Sequence, residues 1–175
     1  MKILLIRHGQ TTGDIEDRYG GAYDDSLTEE GRQQLRQTAE KLVGRKIDKI
    51  FTSSLKRAQE STQIINNIVQ TQIEVVSDLQ ERNYGVLGGL TRTEALEKYP
   101  DVVELHKNAD NTDPEGESRK DFVNRVVNTF ESIVKEPFDN IIIVGHGGSI
   151  KVILNYLNLP VPPSIGDGEI IEVDY

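Results

Sequence analysis

The chain has 175 residues, 36% hydrophobic and 28% charged, a balance that excludes a disordered chain and suits one soluble domain, residues 1–175, with a buried core. Its 20 basic residues against 29 acidic ones give a formal net charge of −9, which argues against nonspecific nucleic-acid binding and makes any local positive pocket notable. The absence of cysteine removes a disulfide framework and thiolate metal sites, and the 3 histidines show no close ligand spacing, so no metal and no cofactor is expected.

In chain order, Ile3-Leu4-Leu5-Ile6 is a short aliphatic run of the kind buried on both faces of a parallel sheet, and it breaks into Arg7-His8-Gly9. This amino terminus is too short for a secretory core or a membrane span, so a cytoplasmic protein is expected, with no membrane partner. Residues 13–25 read as a polar loop with Gly20-Gly21. Thr28 looks like a helix N-cap followed by Glu29 and Glu30, with Leu35, Ala39 and Leu42 as the apolar stripe and Gly44 as the stop. Ile50-Phe51-Thr52-Ser53-Ser54 is a second strand-like run, and a helix is predicted from about Leu55 to Asn67, then a strand over Ile73 to Val76.

The stretch 79–117 differs from its surroundings. It mixes Gly88-Gly89, a short predicted helix near Thr93 to Lys98 and a strongly polar run, and it reads as a lid in which His106 is solvated. Phe122, Val126, Phe130 and Ile133 recur at helical spacing and predict a long helix feeding the run Ile141-Ile142-Ile143-Val144. That run breaks into Gly145-His146-Gly147-Gly148. A helix is predicted over Ser149 to Leu157, a turn at Pro160 to Pro163 and a final edge strand over Glu169 to Asp174.

Strands alternating with helices predict an α/β fold, a three-layer α/β/α sandwich with a mostly parallel central sheet and helices on both faces. In such sheets ligands bind at the carboxyl ends of the strands. Arg7, His8, Arg57 and His146 all follow strand ends, so they are expected at one edge. Guanidinium forks suit phosphate oxygens and a neutral imidazole can attack phosphorus, which points to phosphoryl transfer. The amides of Gly147 and Gly148, opening a helix, could add donors.

Leu5-Ile6-Arg7-His8-Gly9-Gln10-Thr11 and Thr52-Ser53-Ser54-Leu55-Lys56-Arg57-Ala58 resemble two signatures of the histidine phosphatase superfamily, the phosphoglycerate mutase-like proteins. Ser26-Leu27-Thr28-Glu29-Glu30-Gly31, Leu79-Gln80-Glu81-Arg82-Asn83-Tyr84-Gly85, Gly116-Glu117-Ser118 and Val144-Gly145-His146-Gly147-Gly148 extend the resemblance along almost the whole chain. The resemblance implies that His8 becomes a phosphohistidine, that Arg7, Arg57 and His146 hold the phosphate oxygens, and that Glu81 is the general acid. It further implies phosphate or substrate contacts for Gln10, Thr11, Asp14, Gly20, Gly21, Arg82, Tyr84, Gly147 and Gly148. Asp14 stands where many relatives carry asparagine, and Gly20 replaces a side chain common among them.

The implied activity is hydrolysis of small phosphomonoesters. A cofactor-dependent phosphoglycerate mutase is the rival reading, since the Glu81 to Gly85 segment is close to that of the mutases. Against it, the mutases carry a longer insertion with paired arginines, whereas Pro100 to Glu117 here is short, acidic and free of arginine, and they usually have asparagine in place of Gly148. A non-catalytic binding module is the third reading; such proteins normally lose a pocket histidine or arginine, and all four are present here.

Overall fold

A computed structural model describes residues 1–175. Its centre is a five-stranded sheet built from β1 (Lys2–Arg7), β2 (Lys49–Ser53), β3 (Gln72–Val76), β4 (Asn140–Gly145) and β5 (Ile170–Asp174), in the order β3-β2-β4-β1-β5. β1, β2, β3 and β4 pair in parallel, and β5 runs antiparallel along β1 as one edge. The aliphatic runs form the central strands because each strand is covered on both faces. Ile3, Leu5, Phe51, Ile141 and Ile143 point to one side, while Leu4, Ile6, Ile50, Ile142 and Val144 point to the other.

The first face packs on α6 (Arg119–Ile133) and α7 (Gly147–Tyr156) through Phe122, Val126, Phe130, Ile150 and Ile153. The second packs on α2 (Glu29–Glu40) and α3 (Lys56–Val69) through Leu35, Ala58 and Ile65, with Leu42 from the turn after α2. Each fully buried aliphatic or aromatic side chain contributes roughly 1.5–3 kcal/mol. The three-layer architecture therefore follows from the two-residue period of the strands meeting the helical period of the stripes.

Thr28 caps α2 by accepting from Gly31 N at 2.9 Å, with Glu29 and Glu30 in the first turn. A Cβ at Gly31 would collide with the backbone of Gln10, so this glycine lets α2 press against the turn that follows β1. The loop predicted over 13–25 contains α1 (Thr12–Ile15), a single turn capped by Thr11. The polar stretch after α4 (Arg92–Lys98) holds a further helix, α5 (Pro100–His106), started by proline at its first position. Leu79 and Leu87 lie in short 3-10 turns, and Tyr19, Leu87 and Ala95 form a small separate apolar cluster beneath this segment. Residues 160–163, predicted as a turn, are irregular apart from a bend at Pro163. No helix is long and apolar enough to cross a membrane.

Candidate active site

The parallel register sets Arg7 beside Gly145 and Thr52 beside Val144, so β1, β2 and β4 end together. The residues just beyond them converge. His8 N donates to Gly145 O at 3.1 Å, and the His8 and His146 rings lie 5.2 Å apart between centroids. Arg57, in the first turn of α3, reaches the same point from β2.

His8 is buried, and its ring orientation is fixed from both sides. Nδ1 lies 2.8 Å from Gly9 O, and a carbonyl can only accept, so Nδ1 carries the proton. Nε2 then presents a lone pair, which accepts from Arg57 Nε at 3.2 Å. Burial, then the Arg57 charge and more weakly that of Arg7, lower the pKa of His8 to about 3 against the opposing pull of the Gly9 carbonyl. The imidazole is therefore neutral at neutral pH, as a nucleophile must be.

His146 shows a complementary pattern. Ser53 Oγ accepts from Leu55 N at 3.3 Å and stands 2.8 Å from His146 Nε2, a contact in which either group can donate. The other ring nitrogen, Nδ1, is buried without a partner. Burial first, then the charge of Arg57 and more weakly that of Arg7, hold His146 well below the usual histidine range.

The two arginines are held differently. Arg57 donates to Tyr23 O at 2.6 Å, Asp25 Oδ1 at 2.9 Å and Gly21 O at 2.6 Å in addition to His8, and both side chains of the Arg57–Asp25 pair are 4% exposed. Arg7 donates to Ile165 O at 2.5 Å and pairs with Asp167 Oδ1 at 3.1 Å, while its buried Nε has no partner. Burial raises the Asp167 pKa against the pull of Arg7, with Asp14 adding a further upward push. Buried polar groups are nearly always paired, and Arg7 Nε and His146 Nδ1 are two of the four here that are not, the others being Asp113 Oδ1 and Asp167 Oδ1.

Glu81 closes the arrangement. Its Oε2 accepts from Gly148 N at 2.7 Å and its Oε1 from Arg82 N at 2.9 Å. A Cβ on Gly148 would overlap this carboxylate, so a larger residue there requires the Glu81 side chain to shift. A cavity of about 490 Å³ is lined by Arg7, His8, Arg57, Glu81, Tyr84 and Gly147, among others. Burial, with the Glu81 charge adding to it, pushes Tyr84 up to about 12, so its hydroxyl stays a donor. Such a cavity can seat a tetrahedral oxyanion against one nucleophilic nitrogen.

Thr11, Asp14, Gly20, Gly21 and Gly148 also line this cavity, but several do other work than expected. Asp14 Oδ2 accepts from Thr11 N at 2.8 Å and Thr11 Oγ1 at 2.9 Å, closing the cap of α1. Gln10 lies outside the cavity, its Oε1 accepting from Thr28 Oγ1 at 2.9 Å. The Gly148 amide is taken by Glu81. Arg82 points away, donating to Glu117 O at 2.9 Å, Ala109 O at 2.6 Å and Asn111 O at 2.5 Å, so it fastens the covering segment instead of touching the cavity.

His106 is not a solvated residue either. Its Nδ1 lies 2.7 Å from Asp113 Oδ2 and its ring meets Tyr19 and Tyr84 edge-on, so aromatic packing and a buried carboxylate hold it. Sequence reasoning missed Asp25, Asp167, Ser53 and Ser61 as supports, and Arg18 and Arg92 as cavity residues. Ser53 had the best signal, since it stands at the end of β2 within a signature segment.

A family model described as the histidine phosphatase superfamily (branch 1) matches residues 3–167. The chain is 34% identical, over 99% of its own length and 81% of the relative's, to a 2,3-bisphosphoglycerate-dependent phosphoglycerate mutase 2 of Gloeobacter violaceus. Among solved structures it resembles a mycobacterial glucosyl-3-phosphoglycerate phosphatase with vanadate, at 26% identity and a TM-score of 0.83 over 99% of this chain and 90% of that one. It also resembles YhfR of Bacillus stearothermophilus, at 26% identity and a TM-score of 0.89 with the same coverage.

Proposed function

The chain belongs to the histidine phosphatase superfamily, and we propose that within it this protein hydrolyses small phosphomonoesters through a phosphohistidine on His8. The observation that carries the reading is the pair of buried, unpartnered groups, Arg7 Nε and His146 Nδ1, beside a neutral His8 whose Nε2 bears a lone pair.

In the first step His8 Nε2 attacks phosphorus, the bond from phosphorus to the alcohol oxygen breaks, and that oxygen takes a proton from Glu81. In the second, water attacks phosphorus, gives its proton to Glu81, and the phosphorus–nitrogen bond breaks to release inorganic phosphate. Arg7 and His146 hold the equatorial oxygens, where charge accumulates. Arg57 Nε, which donates to the His8 lone pair in this structure, releases it for the attack and turns to a phosphate oxygen.

Two features favour hydrolysis over mutase action. Gly148 leaves no room for the asparagine usual in mutases without displacing Glu81, and Pro100 to Glu117 supplies no arginine. One observation favours the rival: Arg18 and Arg92, from outside that stretch, line the cavity and suit a second anionic group, in keeping with the similarity to a mutase. With 3-phosphoglycerate and bisphosphoglycerate together, phosphate release outpacing isomerisation supports the phosphatase, and the reverse supports the mutase.

For catalysis itself, the test is phosphate release from 4-nitrophenyl phosphate by wild type and His8→Ala. Loss of at least about a thousandfold in the variant is expected, in line with removal of a nucleophile. Equal and negligible rates would instead favour the binding module.

A further inference from the structure

A second cavity, of about 770 Å³, adjoins the first and shares Glu81, Tyr84, Gly148 and Lys151 with it. Its wall from α6 and α7 carries Phe122, Val123, Val127 and Val152, with Val161 beyond α7, beside the polar Arg119, Lys151 and Asn155. Its opposite wall comes from the covering segment and includes His106. Because Glu81 is the group placed to protonate the alcohol oxygen, whatever that oxygen is attached to continues past Glu81. The shared residues make the second cavity its path.

Several polar groups in this cavity already hold one partner. Asn111 Nδ2 donates to Leu105 O, Arg119 pairs with Asp110, and Lys151 donates to Pro163 O. Asn155 lies on the exposed rim. His106 differs: Asp113, whose side chain is 4% exposed, takes Nδ1, and Nε2 has no partner in the protein. Tyr19 and Tyr84 stack edge-on against the ring at 5.1 and 4.7 Å between centroids, which removes its rotational freedom. With Nδ1–H given to Asp113, the Nε2 of a neutral ring is an acceptor.

Resting on the phosphatase reading, we propose that the second cavity receives the alcohol half of the substrate and that His106 Nε2, oriented by Asp113, hydrogen-bonds a hydroxyl or amide donor on it. The preferred substrates are then phosphomonoesters of a bulky, mainly apolar alcohol carrying one donor at its far side. A compact, fully charged substrate such as a phosphorylated three-carbon acid leaves this cavity unfilled.

The experiment compares two esters of nearly equal size, 4-ethylphenyl phosphate and 4-(hydroxymethyl)phenyl phosphate, together with the 3-substituted isomers. Wild type is expected to favour a hydroxymethyl ester by about tenfold in kcat/KM, expressed in KM because the contact is made equally in ground and transition states. His106→Phe keeps the aromatic packing and removes Nε2, so the ratio of the two esters' kcat/KM should fall to about one. Because Phe leaves Asp113 without its partner, His106→Gln is the second variant, and it is expected to reduce the same ratio.

A preference unchanged in these variants, or no preference in wild type with either isomer, overturns the proposal and leaves the phosphatase reading standing. Hydrolysis of none of the esters by wild type removes both.

Discussion

Arg57 and Arg82 are both arginines locked by backbone carbonyls, yet they hold different parts of the molecule. Arg57 sits at the carboxyl edge of the sheet, where its bonds to Gly21 O, Tyr23 O, Asp25 and His8 tie that histidine to the loop after α1. Arg82 sits across the cavity and ties together residues 109, 111 and 117 of the covering segment. The sheet edge gains its rigidity from parallel strands buried on both faces. The covering segment has only a small apolar cluster, so polar clasps such as Arg82, the Arg125–Glu117 pair at 2.7 Å and His106–Asp113 replace a core. On the proposed reading, one side holds the phosphate and the other meets the alcohol.

That division predicts its largest effect at Arg57. Arg57→Ala should lower kcat/KM by about a thousandfold, through loss of cavity charge and of the His8 ring position. It should also destabilise the fold by about 3–5 kcal/mol, because Asp25 is left buried and unpaired. Replacing Asp25 by alanine as well should restore much of the stability and none of the activity. If the double variant recovers activity, Arg57 acts only as a support for the loop.

A smaller effect belongs to the other side. Glu81→Gln keeps an acceptor for Gly148 N, gives up the one for Arg82 N and removes the proposed proton donor. Turnover of alkyl phosphates should fall by about 10²–10⁴-fold, whereas 4-nitrophenyl phosphate, whose leaving oxygen needs no proton, should lose under about tenfold. Equal losses on both esters would show that Glu81 shapes the cavity without transferring a proton.

The same division explains what was legible in the sequence. Runs such as Ile141 to Val144 identify central strands because no other element buries every position of a four-residue run, and a histidine after such a strand has only one end of the sheet to occupy. Asp25 and Asp167 carried no signal: their value comes from which arginine the tertiary fold brings to them, 32 residues away for Arg57 and across most of the chain for Arg7. Gln10, Asp14 and Arg82 were assigned to substrate because resemblance marks positions and not hydrogen bonds. In the structure, local caps and carbonyls claim their polar atoms. His106 read as solvated because its neighbours in sequence are polar, while the ring that covers it most closely, Tyr84, comes from the other end of the covering segment.

The gentlest test of the contrast uses acid. His8 titrates near 3 in the folded protein against an ordinary value of 6.5, so between these pH values the unfolded chain binds a proton that the native state refuses. Stability therefore rises with pH across that window and falls as the medium is acidified below about 6.5, by up to about 1.4 kcal/mol per pH unit for one histidine. His146, lowered in the same direction, adds to the slope. Asp167, raised by burial, contributes with the opposite sign from 3.8 upward, within the same window, and comparison with a variant that retains it cancels this term. Urea unfolding of wild type and His8→Gln between pH 7 and pH 4.5 should give curves whose slopes differ by about 1 kcal/mol per pH unit, the variant being flatter. Parallel curves would mean that His8 binds its proton as readily folded as unfolded. The sheet edge would then not hold a lone pair ready for phosphorus, and its rigidity would have to serve something other than nucleophilic attack.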